Sequence, residues 1–360
     1  MDKSVNPSRL ELARRRRGVS MRQLAELIGV EPRTISAYEK GEFSPSPETL
    51  KRLAAKLRFP EAFFYGPDLE MPRTRVVSFR ALSRMTAAER DGALGAGALA
   101  LILHDWIDQR FELPKCDVPD LQGEDPETAA QSVRGAWGLG DLPIKNMIHL
   151  VESKGVRVFS LTEDTKRVDA FSFWRGDTPF IFLNTAKSAE RSRFDCAHEL
   201  GHLVLHKHGG PQGQGTEDQA NAFASAFLMP SSSVYATVRH APTVSQLVSL
   251  KKRWTVSVVA LMYRLWKLRV LSEWQYRSMC IEAIDYRKNE PEPAPRETSQ
   301  ILAKVFESMR SSGMSKSSIA KELAIEVGQL EELIFGLVAA EGGSQLKSPS
   351  AVRTHLRVVK

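Results

Sequence analysis

Apolar residues in the first sixty positions recur three and four apart, the spacing of one helix face, in short runs. Ser20 and Gln23 form a capping-box pattern before one run, and Gly29 marks a tight turn before the next. The side chains of the second run that should face the core are Leu24, Leu27 and Ile28. The pattern predicts helices over 8–17, 21–28, 32–40 and 49–57, an order that includes helix, glycine turn and helix.

The middle of the chain mixes helical and alternating patterns. A helical run over 87–111 is predicted either to pack two functional units together or to form a dimer contact, and 114–127, with three prolines, is predicted to be a loop. Three short β-rich runs, with Arg175-Gly176-Asp177 as a hairpin turn, should form a small antiparallel sheet; they span 156–161, 168–174 and 179–184. A helix over 188–205 follows, so the region is expected to be an α+β domain.

The last third is again helical in pattern. Amphipathic helices are predicted over 244–263 and 272–286, and 289–296 is a charged, proline-rich linker. Three further helices form a small unit that is loosely similar to another helix-turn-helix, and they span 301–309, 315–323 and 327–337. We expect this unit to serve interaction or dimerisation, so the chain could form a homodimer through it.

Composition narrows the class of protein. A chain of 360 residues with 42% hydrophobic residues is expected to form two or three domains. Residues 1–60 carry 13 Lys and Arg against 7 Asp and Glu, which is +6 of the net charge of +7 and points to a polyanionic partner. Three scattered cysteines, no apolar leader and no run of about twenty apolar residues indicate a cytoplasmic protein without a membrane partner.

The strongest chemical signal is the segment His198-Glu-Leu-Gly-His202 in a helical run. Two histidines four residues apart share one helix face and can bind a single Zn²⁺, while Glu199 is placed to take a proton from water as the catalytic base. A neighbouring sheet edge is expected to hold an extended substrate by strand addition.

A catalytic zinc needs a third protein ligand, and several residues compete for the role. Glu217 is expected in the first turn of the next helix with Thr216 as N-cap, and Asn221, one turn later, is expected to support Glu217 from outside the metal site. His208 would complete a longer metzincin-like pattern, but that pattern needs glycine where this chain has Leu205. The remaining candidates are Asp218 and His206.

Residues 7–65 resemble the helix-turn-helix domain of the phage-repressor (Xre or Cro/CI) family, most closely at Ser20-Met-Arg-Gln-Leu-Ala-Glu-Leu-Ile-Gly-Val and Thr34-Ile-Ser-Ala-Tyr-Glu-Lys-Gly. The resemblance implies a double-stranded DNA operator as partner and a recognition helix over 32–40. The residues placed to meet base edges are Arg33, Thr34 and Ala37. Those placed to meet phosphates are Arg22, Gln23, Ser36 and Lys40. The run Arg14 to Arg17 is ambiguous and receives no role.

Residues 125–275 resemble the ImmA/IrrE family of zinc metallopeptidases. The resemblance rests on Trp137-Gly-Leu-Gly, Gly155-Val, Phe182-Leu-Asn184, the stretch from Arg193 to His206 and the stretch from Glu217 to Pro230. Many members of that family also carry an Xre domain ahead of the peptidase. The resemblance selects Glu217 as the third ligand and implies cleavage of a repressor-type protein.

The expected fold is a multidomain, mainly α chain with a small α+β domain. Its parts are a five-helix helix-turn-helix domain over 1–66, a helical connector over 67–124, a zincin-like peptidase domain with a small antiparallel sheet over 125–288, a linker and small helical element over 289–340, and a tail over 341–360. The expected function is that of a DNA-binding transcriptional regulator carrying a zinc endopeptidase, which cleaves a repressor-type protein or its own chain. The alternatives are a non-proteolytic regulator or antitoxin that senses a signal or holds a partner, and a housekeeping peptidase that the basic module localises.

Overall fold

The computed structural model describes residues 4–69, 78–79, 86–161, 168–207, 213–338 and 357–358. Helices dominate this part of the chain, and none of the helices in it is both long and apolar enough to cross a lipid bilayer. The N-terminal helices are α1 (Pro7–Arg16), α2 (Met21–Ile28), α3 (Pro32–Lys40), α4 (Pro47–Leu57) and a 3₁₀ turn (Glu61–Tyr65).

The caps of the N-terminal domain follow the sequence prediction. Ser20 and Gln23 make both hydrogen bonds of a capping box, and α2 ends at Gly29 with φ +70°, the left-handed conformation that glycine adopts without strain. The inward face of α2 consists of Leu24, Ala25 and Ile28. Leu27, predicted to face inward, is 50% exposed, because it lies about 110° around the helix from the centre of that face.

The arginine run of α1 holds the fold together. Arg14 pairs in a bidentate manner with Glu39 of α3, with a closest separation of 2.6 Å, and both side chains are almost fully buried. Arg17 donates to the carbonyl of Leu57 at the end of α4. The ambiguity of this run is therefore resolved for these two arginines, since they connect helices of the domain.

The long helix α5 (Ala87–Asp108) packs the functional units together, which is the first of the two roles predicted for it. Its N-terminal half lies against α1, where a Cβ on Gly95 would come within 3.0 Å of Arg16. Its C-terminal half meets the central sheet, where the His104 ring stands edge-on to Phe180 and Asp105 pairs with Arg175.

The central sheet is mixed and consists of β1 (Ser78–Phe79), β3 (Arg157–Ser160), β4 (Ala170–Arg175) and β5 (Thr178–Leu183), in the order β1-β4-β5-β3. Strands β4 and β5 form the predicted hairpin, β1 pairs antiparallel with β4, but β3 pairs parallel with β5, so the expectation of a wholly antiparallel sheet is wrong for this pair. Alternating residues show which side of a strand is buried, but they do not show the direction of its neighbour. A separate two-stranded pair is formed by β2 (Phe111–Glu112) and β6 (Arg357–Val358).

Helix α8 (Ala189–Leu205) packs on β4 and β5, and α9 (Gln214–Leu228) packs on α8. The two helices approach closely at Gly201, where a Cβ would lie 3.0 Å from the Phe223 ring and 3.3 Å from the backbone of Ala220. The sheet and these two helices thus form the frame on which the candidate site is built.

The remaining helices surround this frame. They are α6 (Pro126–Ala136), α7 (Met147–Ser153), α10 (Ser231–Thr237), α11 (Val244–Trp254), α12 (Val258–Lys267), α13 (Glu273–Glu282), a 3₁₀ turn (Ile284–Arg287), α14 (Gln300–Ser311), α15 (Lys316–Glu322) and α16 (Val327–Ile334). The single helix predicted over 244–263 is broken in two, because Thr255 takes a left-handed conformation and Ser257 caps a new helix. Apart from 357–358, the predicted tail over 341–360 lies outside the described residues.

Candidate metal centre and nucleic-acid interface

Helix α8 carries the two histidines of the candidate metal centre on one buried face. His198 is fully buried and His202 is 5% exposed. Because they are four residues apart, both rings point to the same side of α8, and their Nε2 atoms lie 3.1 Å apart. The local sequence therefore brings two imidazole nitrogens to one point, as predicted.

Helix α9 brings a carboxylate to the same point. Glu217 Oε2 lies 3.3 Å from His198 Nε2, and Glu217 Oε1 lies 3.4 Å from His202 Nε2. Burial alone would raise the pKa of Glu217, but its contacts with the two histidines lower it to about 2, so the group is a carboxylate. Glu217 is in the first turn of α9, as expected, although the helix begins at Gln214 and Gly213, not Thr216, is its N-cap.

The three side chains have the spacing of a metal site. Ligand atoms about 2.0–2.1 Å from a tetrahedral Zn²⁺ lie about 3.3 Å from one another. The observed separations of 3.1, 3.3 and 3.4 Å match the edges of such a tetrahedron. Among the described residues, His198, His202 and Glu217 form the cluster that could hold a metal ion. Two imidazoles and one carboxylate are also a donor set that zinc hydrolases use with a fourth position open.

Contacts outside the cluster orient its histidines. Asn221 Oδ1 lies 3.1 Å from His198 Nδ1, so the amide oxygen accepts from that nitrogen and leaves the Nε2 lone pair directed at the centre. Asn221 thus supports His198, not Glu217 as predicted, because Asn221 reaches across to α8 instead of back along α9. His202 Nδ1 lies 3.1 Å from His206 Nδ1, and His206 Nε2 lies 2.9 Å from Gln219 Oε1.

The predicted base, Glu199, is fully buried beside the sheet. Ser172 of β4 donates a hydrogen bond of 2.6 Å to Glu199 Oε2, which fixes the direction of the carboxylate. Ser172 is not among the residues predicted for the site; its signal in the sequence is a hydroxyl between two phenylalanines, Phe171 and Phe173, in an otherwise apolar strand.

The backbone of the same strand is paired on its outer edge. Ser172 is opposite Ser78, and Phe171 is opposite Phe79, in antiparallel register with β1. The edge predicted to receive an extended substrate is therefore covered at these two positions by a strand of the same chain.

Two of the other ligand candidates, Asp218 and His206, are not part of the cluster. Asp218 is exposed and accepts from the side chain of Gln214. His206 contacts the ring of His202 from behind, and burial lowers the pKa of His206. His208 lies outside the described residues.

The predicted DNA-contact residues lie on α2 and α3. Arg22, Gln23, Arg33 and Lys40 are exposed, and Thr34 and Ser36 are half-buried. Gln23 also receives the backbone N–H of Ser20 in the capping box. Ala37 is only 7% exposed, which leaves little of its methyl group for a thymine, so we remove Ala37 from the expected base contacts.

Two family models match the chain. A helix-turn-helix model matches residues 10–64, which contain most of α1 and all of α2 to α4. An M78 peptidase model, described as an IrrE N-terminal-like domain, matches residues 151–266, which include His198, Glu199, His202 and Glu217. A search of curated proteins gave no match.

Proposed function

We propose that this chain, which joins an Xre-type helix-turn-helix domain to an ImmA/IrrE-type peptidase domain, is a DNA-binding transcriptional regulator. We propose further that it carries a zinc-dependent endopeptidase of the HExxH, gluzincin-like type. Its substrate is a repressor-type protein, in trans or in cis, and it acts in the cytoplasm at a double-stranded DNA operator. One observation carries the proposal: three ligand atoms from α8 and α9 have the mutual spacing of a tetrahedral zinc site, and a buried glutamate follows the first ligand in sequence.

The chemistry follows from the residues around that point. Zn²⁺ held by His198, His202 and Glu217 supplies Lewis-acid activation of water and of a peptide carbonyl. Glu199 accepts the proton of the attacking water and returns it to the departing amine. Ser172 acts through Glu199 as a positioning residue, because its hydroxyl donates to one carboxylate oxygen and sets the orientation of the group.

The DNA-binding role rests on the basic face of α2 and α3. The exposed guanidinium of Arg33 can read a guanine by two hydrogen bonds, with Thr34 beside it, while Arg22, Gln23, Ser36 and Lys40 are assigned to phosphates. The buried Arg14–Glu39 pair fixes α3 to α1, so the recognition helix is held at one angle.

The test compares wild type with Glu199→Gln and Glu217→Ala in metal content and in cleavage. Candidate substrates are repressor-type proteins encoded beside the gene. Cleavage of the chain itself is detected by measuring its intact mass. We expect Glu199→Gln to keep stoichiometric zinc and lose at least a hundredfold in cleavage rate, and Glu217→Ala to lose zinc. Glu61→Gln, on the surface 3₁₀ turn, is the matched control. Equal cleavage by wild type and Glu199→Gln would exclude the proposed mechanism.

A non-proteolytic regulator or antitoxin is the second candidate, and the pairing of β1 on β4 favours it. Backbone groups of Ser172 and Phe171 that would receive a substrate strand are opposite Ser78 and Phe79 of the same chain. Zinc binding without cleavage of any neighbouring regulator, and operator binding that changes with zinc, would support this function over proteolysis.

A further inference from the structure

The last three helices of the described chain repeat the first three at a constant offset of 295 residues. Ser20 caps α2 by accepting from the backbone N–H three residues later, and Ser315 caps α15 in the same way. The turns before these caps contain Gly18 and Gly313, both with positive φ. The pairs that follow are Gly29 with Ala324 and Gly41 with Gly336, and all four residues have φ between +53° and +72°.

Backbone hydrogen bonds repeat at the same offset. The N–H of Val30 donates to the carbonyl of Ala25, and the N–H of Ile325 donates to Ala320. Val19 donates to Arg14, as Met314 donates to Met309. A repeat in caps, left-handed positions and turn hydrogen bonds defines the same backbone path.

Buried positions agree with that path. Leu24, Ala25, Ile28 and Ile35 of the first unit correspond to Ile319, Ala320, Leu323 and Leu330 of the second, and all eight are buried. The positions of the buried pair Arg14 and Glu39 hold Met309 and Ile334, both also buried. The second unit therefore has two buried apolar side chains at the positions where the first has an ion pair.

The second unit lacks the basic face that would bind DNA. The positions of Arg22, Arg33 and Lys40 hold Ser317, Gly328 and Phe335. The positions of Ser36 and Ala37, in the middle of the recognition helix, hold Glu331 and Glu332. Carboxylates at these positions would repel phosphates, because DNA affinity depends on neutralising backbone charge.

The acidic face contacts the first unit instead. Glu332 Oε2 lies 2.6 Å from Arg16 of α1, and the Arg16 side chain is 4% exposed. A second carboxylate, Glu322 at the end of α15, contacts the connecting helix α5. It accepts hydrogen bonds from the indole N–H of Trp106, near the end of α5, and from Arg110, just after it.

The other side of the unit contacts the peptidase domain. Helix α16 packs on β3, and the Thr185 hydroxyl, just after β5, donates to the carbonyl of Phe335. A Cβ on Gly336 would come within 2.9 Å of the Thr185 side chain, so the glycine permits this close approach.

We infer that residues 299–337 are a second helix-turn-helix unit that does not read DNA, and that its partner is the chain's own DNA-binding domain. Glu332 binds Arg16, and the unit fixes the first domain to the central sheet. This inference goes beyond the proposed function and holds whether or not the chain cleaves a protein.

The test uses the full chain in hydrogen exchange followed by mass spectrometry. Glu332→Lys places two cations together, and we expect amide exchange in α1 and the adjoining part of α5 to rise at least tenfold, with a smaller rise in Glu332→Gln. Glu331→Gln is the matched control, because this neighbour is more exposed and its partner is Lys316 of its own unit. Unchanged exchange in Glu332→Lys, or an equal rise in Glu331→Gln, would overturn the proposed contact.

A second measurement tests whether the second unit contacts DNA. Affinity of the full chain for a 30-base-pair DNA duplex is measured against salt concentration by fluorescence anisotropy. Replacing Lys316 and Lys321 of α15 by alanine should leave the salt slope unchanged, whereas Arg22→Ala should reduce it by about one. A lower slope in the lysine variant would show that the second unit contacts DNA and would refute this part of the inference.

Discussion

The contribution of the buried ion pair between Arg14 and Glu39 to stability can be tested directly. The corresponding positions of the second unit hold two apolar residues, Met309 and Ile334, which supply the replacement. Arg14→Met leaves the Glu39 carboxylate buried without its cation, which costs about 3–5 kcal/mol. Changing both residues to the pair found in the second unit, Arg14→Met with Glu39→Ile, removes both charges together and should leave stability within about 1 kcal/mol of wild type. The double variant should therefore be far more stable than either single variant.

Hydrogen exchange of amides in α3 measures this in the full chain. A loss of about 3 kcal/mol corresponds to an increase of roughly a hundredfold in exchange rate. Arg22→Met is the matched control, because the Arg22–Glu26 pair is 82% and 65% exposed and should contribute less than about 0.5 kcal/mol. A double variant that exchanges as fast as the single variants, or an Arg14→Met variant that behaves like the control, would contradict this prediction.

Three further predictions concern the frame of the site. Burial lowers the pKa of His104 from 6.5 to about 4, so between these pH values the unfolded chain binds more protons than the folded chain. The free energy of unfolding should therefore fall by up to about 3 kcal/mol as the pH drops from 6.5 to 4. Urea unfolding of His104→Leu should lose this pH dependence, and the same dependence in the variant would contradict the prediction. Gly201→Val should push α9 from α8 at Ala220 and weaken zinc binding at least tenfold in a chelator competition, with DNA affinity unaltered. Gly155→Ala should lower stability by about 2 kcal/mol or more in thermal unfolding, since φ is +82° and a Cβ would lie 2.5 Å from the backbone of Cys116; a melting temperature equal to wild type would count against it.

Local signals explain what the sequence could predict. The capping box of α2 and the convergence of His198 with His202 depend on residues three or four apart, and such spacings are visible in one dimension. The sequence pattern places Glu217 in the first turn of the helix after the histidine pair, but the loop between them carries no geometric information, and the resemblance to the ImmA/IrrE family selects Glu217 from the other candidates.

Long-range contacts explain what the sequence could not predict. Ser172 reaches Glu199 from a strand 27 residues away, and nothing in the pattern of β4 shows which helix lies above it. The parallel pairing of β3 depends on how the chain crosses the sheet. The second helix-turn-helix unit was only loosely visible, because Ala324 takes the left-handed position that glycine usually marks, and the basic residues of the first unit are absent.

The pairing of β1 with β4 has a consequence for which peptides could pair with β4. Because β1 and β4 belong to the same chain, a peptide that pairs with β4 would compete with a tethered strand, which has the advantage of an intramolecular effective concentration. A peptide that matches β4 no better than β1 does would need a similar concentration to take its place. We therefore expect short, weakly pairing fragments to be excluded from β4, whereas a protein that brings additional binding surface of its own could take the place of β1.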